Sequence, residues 1–68
     1  MARLVLKNGV EETIVSSNIL LQADKDIDFK LDSDNGYITL PAKTILKVDK
    51  NITLRTDAPA ATVVYFKD

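Results

Sequence analysis

The densest set of possible cation ligands in the chain is Asp24, Asp26, Asp28, Asp32 and Asp34. A hard cation such as calcium needs several carboxylate and carbonyl oxygens around one point. The EF-hand order does not fit, because with Gly36 as the turn glycine the first ligand position would be Leu31. Turn chemistry accounts for Asp24, Asp26 and Asp34, and solvent-facing alternation for Asp28, so no metal site is expected. Glu11 and Glu12 are the paired carboxylates that glycoside hydrolysis would use. Neighbours on a strand point to opposite faces, so these two cannot flank one bond. Ser16 and Ser17 offer hydroxyls with no base to activate them. The chain has no histidine, no cysteine and only two glycines, which removes Ser-His-Asp and Cys-His systems, ordinary zinc sites and phosphate-cradling loops. A non-enzymatic protein with no cofactor is expected.

The elements that would position any other site follow from size and charge. A chain of 68 residues is one small domain at most, and it buries only about 60% of the surface its unfolded form exposes. Without cysteine no disulfide supplements that core, so association with other subunits is the remaining source of stability. Nine lysines and arginines against ten acidic residues leave no basic field for a nucleic-acid backbone. The run Leu4-Val5-Leu6 is too short for a signal-peptide core, and nothing approaches a membrane span. The expected location is the cytoplasm or a particle assembled there.

Valine, isoleucine and threonine come in short alternating runs separated by Asp, Asn, Gly, Ser or Pro clusters, the pattern of an all-β domain. Eight strands are expected near 3–6, 10–15, 18–23, 27–32, 37–40, 44–48, 52–56 and 62–67. Three-residue loops Lys7-Asn8-Gly9, Asp24-Lys25-Asp26 and Asp49-Lys50-Asn51 group apolar side chains on one face, each with its third residue in the left-handed region. The first puts Leu4, Leu6, Val10 and Ile14 together, with Glu12 as the exception. The second opposes Ala23 to Ile27 and Leu21 to Phe29, and the third Val48 to Ile52 and Leu46 to Leu54. Ser33-Asp34-Asn35-Gly36 then opposes Leu31 to Ile38 and Phe29 to Leu40, and Ala58-Pro59-Ala60-Ala61 opposes Thr56 to Val63. The predicted organisation of 1–68 is one β domain with an N-terminal hairpin 3–15 and two similar three-strand meanders, 18–40 and 43–67. They form a small antiparallel sandwich or barrel that is oligomeric.

The two meanders share a repeat. Leu20–Asp32 aligns with Ile45–Asp57 at a spacing of twenty-five residues, with Leu, Asp, Lys, Ile and Asp recurring. Stacked in register as a parallel solenoid, the coils would set Asp24 over Asp49 and Lys25 over Lys50; an antiparallel arrangement avoids those like-charge contacts.

Val5, Leu20, Ile45, Val64 and Phe66 are apolar residues on the wrong face, opposite the inward set. A subunit interface explains them, and a dimer or trimer would hide sheet edges as well.

Two resemblances bear on function. Ile38-Thr39-Leu40-Pro41-Ala42-Lys43-Thr44-Ile45-Leu46 resembles the hydrophobic-Pro-Ala-x-Thr-hydrophobic strands of small β-rich accessory proteins of bacteriophage particles, the head-decoration and head-fibre components. That likeness implies decoration of a capsid by copies of the chain, as homodimer or homotrimer, with a capsid protein as partner, in the virion or the host cytoplasm. Gly36-Tyr37-Ile38-Thr39-Leu40-Pro41-Ala42-Lys43 resembles the Gly-Arg-Ile-Thr-Leu-Pro signature of AbrB and MazE-type swapped-hairpin DNA-binding regulators and antitoxins. It implies phosphate contacts from Lys43, Lys47, Lys50 and Arg55. Tyr37 stands where that family has a basic residue, and 44–48 reads as strand where a short helix should follow. A ligand-binding β module is a third alternative, with Tyr37 and Tyr65 as its stacking surfaces.

Overall fold

The computed structural model describes residues 2–15, 18–31 and 36–67. The expected link at Ser16-Ser17, most of the loop expected at Ser33–Gly36, and Asp32 and Asp34 lie outside them. The described residues form eight strands: β1 (Ala2–Lys7), β2 (Glu12–Ile14), β3 (Ile19–Ala23), β4 (Ile27–Leu31), β5 (Ile38–Leu40), β6 (Ile45–Val48), β7 (Ile52–Arg55) and β8 (Ala60–Lys67). They hydrogen-bond into two antiparallel sheets, sheet A in the order β1-β8-β3-β6 and sheet B in the order β2-β7-β4-β5. Every connection except β4 to β5 passes from one sheet to the other. That winding is a jelly roll, the double-sheet solution to covering strand edges.

The expected hairpin 3–15 and three-strand meanders 18–40 and 43–67 are therefore corrected. β1 pairs with β8 and not with β2, β3 pairs with β6 and β8, and β7 pairs with β2 and β4. Only β4 and β5 form a hairpin, in a register that sets Phe29 opposite Ile38 and Ile27 opposite Leu40. This differs by two residues from the expected register and so keeps the same faces together. The physical reason is that a three-residue loop between two inward residues suits an arch as well as a hairpin. Ala23 and Ile27 are both buried, as are Val48 and Ile52. A strand that crosses to the opposite sheet turns the same apolar set toward the core as one that folds back beside its predecessor.

Every strand contributes to one core made of Leu6, Ile14, Ile19, Leu21, Ala23, Ile27, Leu40, Val48, Ile52, Leu54, Ala61 and Val63. Full burial of each large member is worth about 1.5–3 kcal/mol against exposure. Two residues expected inside are exposed, Val10 beyond the end of β1 and Ile38 on the edge strand β5. β8 begins earlier than expected, so Ala61 is a core residue and not part of a loop.

Of the three residues expected in the left-handed region, only Gly9 adopts it, at φ 78°, in the turn closed by the Val10 N–H on the Lys7 carbonyl. Among the described residues, the non-glycine ones there are Asn18 and Lys43. The twenty-five-residue spacing relates β3 to β6 and β4 to β7, in place of the expected three-strand meanders 18–40 and 43–67. β3 pairs with β6, β4 pairs with β7, and β2 and β5 flank that second pair on either side.

Candidate protein-docking face

Because opposed residues share a face in an antiparallel sheet, the registers place the outward side chains of sheet A. Phe66 lies opposite Leu20, Leu20 opposite Lys47, Gln22 opposite both Val64 and Ile45, Arg3 opposite Val64, and Val5 opposite Thr62. Val5, Leu20, Ile45, Val64 and Phe66 thus all lie on the outer face of this one sheet. They form a diagonal stripe across its four strands, each within direct or diagonal reach of the next. Val5 is 50%, Ile45 60% and Phe66 40% exposed, while Leu20 and Val64 are half-buried.

The outer face of sheet B is built differently. Its outward strand residues are Thr13, Thr53, Arg55, Asp28, Lys30 and Thr39, and all but Lys30 bond one another. The Thr13 and Thr53 hydroxyls are 3.1 Å apart, the Thr39 hydroxyl donates to Asp28 at 3.0 Å, and Arg55 Nε donates to the other Asp28 oxygen at 3.4 Å. The Arg55 guanidinium stacks 3.7 Å from the centre of the Tyr37 ring, with Lys30 Nζ 5.2 Å from it, and the Tyr37 hydroxyl donates to Glu11. One sheet therefore presents a self-satisfied polar surface to water and the other an apolar stripe.

The remaining sequence candidates are used structurally. Asp24 Oδ1 accepts the Thr62 N–H at 2.8 Å, extending the β3–β8 ladder, and Asp26 Oδ1 accepts the Ala42 N–H at 2.8 Å, tying the β5–β6 turn to the β3–β4 turn. Among the described residues no group of three His, Cys, Asp or Glu side chains could hold a metal ion. Glu11 reaches Tyr37 on the outer side of sheet B. Glu12 instead lines an open cleft of about 610 Å³ between the sheets, with Leu4, Ile14, Ile19 and Tyr65. The two carboxylates thus diverge, as strand alternation requires. Tyr65 packs against the core, so the two tyrosines share no surface.

Lys43, Lys47, Lys50 and Arg55 are not gathered either. Lys47 projects from sheet A and Arg55 from sheet B, while Lys43 and Lys50 sit in the turns at opposite ends of β6. None of the described segments is a helix long and apolar enough to cross a membrane.

Arg3 and Lys7 alternate with Val5 along β1, and Lys47 follows Ile45 on the same face of β6. The apolar stripe is consequently bordered by cations, which the sequence reading missed. The signal was available, since residues two apart on a strand share a face. No protein-family model, curated protein or solved structure matches this chain.

Proposed function

We propose that the chain is a non-enzymatic assembly protein that docks on other protein through the outer face of sheet A. The most specific form of this reading is a bacteriophage head-decoration or head-fibre component, its copies associating around a symmetry axis of the particle. The contrast between the two outer faces carries the reading. Val10, Val15 and Ile38 are exposed singly elsewhere, whereas the apolar residues of sheet A are contiguous, and a contiguous stripe marks an interaction site because exposed apolar area is removed from water only by contact. The occupant in this reading is a sister copy or a capsid subunit. The jelly-roll winding supports it by analogy only, since viral capsid proteins share that architecture with lectins and cupins.

The test is made on particles from the lysate in which the chain is produced. Mass spectrometry of purified particles is expected to find the chain, with Lys7 crosslinked to another virion polypeptide. Particles that lack the chain overturn the reading.

A further inference from the structure

The docking reading leaves open which of its two occupants covers the stripe, and the charges around it favour one. Arg3, Lys7 and Lys47 project from the same face as Val5, Leu20, Ile45, Val64 and Phe66, and all three are exposed. Among the described residues no outward strand residue of that face is acidic, although the chain as a whole carries a net charge of −1. Asp24 borders the face, and its carboxylate accepts the Thr62 N–H. Lys43 adds a fourth cation at the rim, where it lines a shallow depression together with Arg3, Gln22, Thr62, Val64 and Asp24, the last the one acidic residue among them. Gln22 Nε2 donates to the Lys43 carbonyl at 2.8 Å and so fixes the wall of that depression.

A second copy stacked face to face would bring two faces whose outward strand charges are cationic against one another. Juxtaposed like charges select against a partner, and complementary potentials select for one. Resting on the docking reading, we infer that the occupant is a surface of a different protein, apolar at its centre and bordered by carboxylates. A capsid subunit with such a patch fits this chemistry, and a second copy of the same face does not.

The probes are two soluble peptides, one of alternating glutamate and leucine and one of alternating lysine and leucine, titrated into the whole chain and followed by backbone amide resonances. The glutamate peptide is expected to shift outward residues of β1, β3, β6 and β8 and to bind more weakly as salt is raised, while the lysine peptide leaves them in place. Arg3→Glu and Lys7→Glu are each expected to weaken the glutamate peptide by up to about fivefold, the range of an exposed charge pair. Circular dichroism establishes that each variant is folded.

Equal binding of the two peptides, binding of neither, or shifts confined to sheet B overturn the inference. So does a dimer by light scattering that Phe66→Ser dissociates, because the stripe is then covered by a second copy. If the chain still crosslinks within the particle in any of those cases, the docking reading stands and the charge assignment alone is lost.

Discussion

Leu21 lies directly opposite Leu46 across the β3–β6 ladder, and the two are the same position of the twenty-five-residue repeat. Phe29 and Leu54, again equivalent, are directly opposite across β4 and β7. Leu21 and Leu54 are core residues, and Phe29 and Leu46 pack against the core. When equivalent residues face each other in antiparallel pairs in both sheets, an approximate two-fold axis runs through the core at those pairs. Only residues on the axis meet their own counterparts. The repeated charges Asp24 and Asp49, or Lys25 and Lys50, end at opposite ends of the sheets, which is how the repeat avoids the clash a solenoid would impose.

Backbone conformation follows the same relation. Asn18 at φ 57° and Lys43 at φ 67° are repeat equivalents at the entrances to β3 and β6. Asparagine tolerates the left-handed region, and lysine there carries a steric cost of roughly 1 kcal/mol. Lys43→Asn is therefore expected to stabilise the fold by about 0.5–1 kcal/mol in urea titrations. Its backbone bonds to Ala23 and Gln22 do not involve the side chain and are retained. A loss of stability would show that the lysine side chain contributes more than its backbone costs.

The alternation of side chains was legible because strand faces repeat every two residues, and it survived an error in pairing. Val5, Leu20, Ile45, Val64 and Phe66 were singled out by parity within hairpins that do not form, and they still share one sheet, because arch and hairpin orient a strand alike. Pairing was not legible. It depends on which edges find partners across the chain, and nothing local to 7–9 or 24–26 says that β8 will insert between β1 and β3. The left-handed residues were misplaced for a related reason. The chain takes left-handed conformations where it enters β3 and β6, and at the third residue of an arch only in the first, at Gly9.

The two-fold relation is broken at the edge of sheet A, and the break is measurable. β3 is covered on its outer side by β8, whereas β6 ends the sheet, so Leu21 is fully buried and Leu46 only half-buried. Leu21→Ala is expected to cost 2–5 kcal/mol, in the range for a buried leucine, and Leu46→Ala clearly less. For a domain this small the first loss takes much of the total stability, at roughly 0.05–0.15 kcal/mol per residue. Equal losses in chemical denaturation would contradict the asymmetry.

Thr56 is the buried polar residue of the core, 2% exposed. Its hydroxyl donates to the Asp26 carbonyl at 3.2 Å and accepts the Ala58 N–H at 3.1 Å, linking the β3–β4 arch to the β7–β8 connection. Thr56→Val keeps the shape and leaves both backbone groups without this partner. An expected loss of about 1–3 kcal/mol follows, read from the denaturation midpoint. Thr56→Ser should recover much of it by restoring the hydroxyl.

Gly9 separates backbone strain from crowding, because a Cβ built there meets nothing within 4 Å. Gly9→Ala therefore tests φ alone, and a destabilisation of about 1 kcal/mol is expected, with the strand content unchanged by circular dichroism. Gly9→Asn should cost less, since asparagine accepts the left-handed region.

Phe66 supplies the sharpest separation of stability from function. It is 40% exposed and packs across the ladder from Leu20 rather than into the core. A cross-strand pair of this kind is worth roughly 0.2–1 kcal/mol, so Phe66→Ser is expected to lower stability by no more than about that amount. Were the stripe scattered surface hydrophobicity, nothing else would change. If it is a docking face, the same substitution removes the stripe's aromatic side chain, and truncating an aromatic anchor costs about 2 kcal/mol or more of binding. The expected result is a folded chain of near wild-type midpoint whose association with particles falls by a factor of about thirty or more. Unchanged association in a folded Phe66→Ser chain would move the docking site away from sheet A.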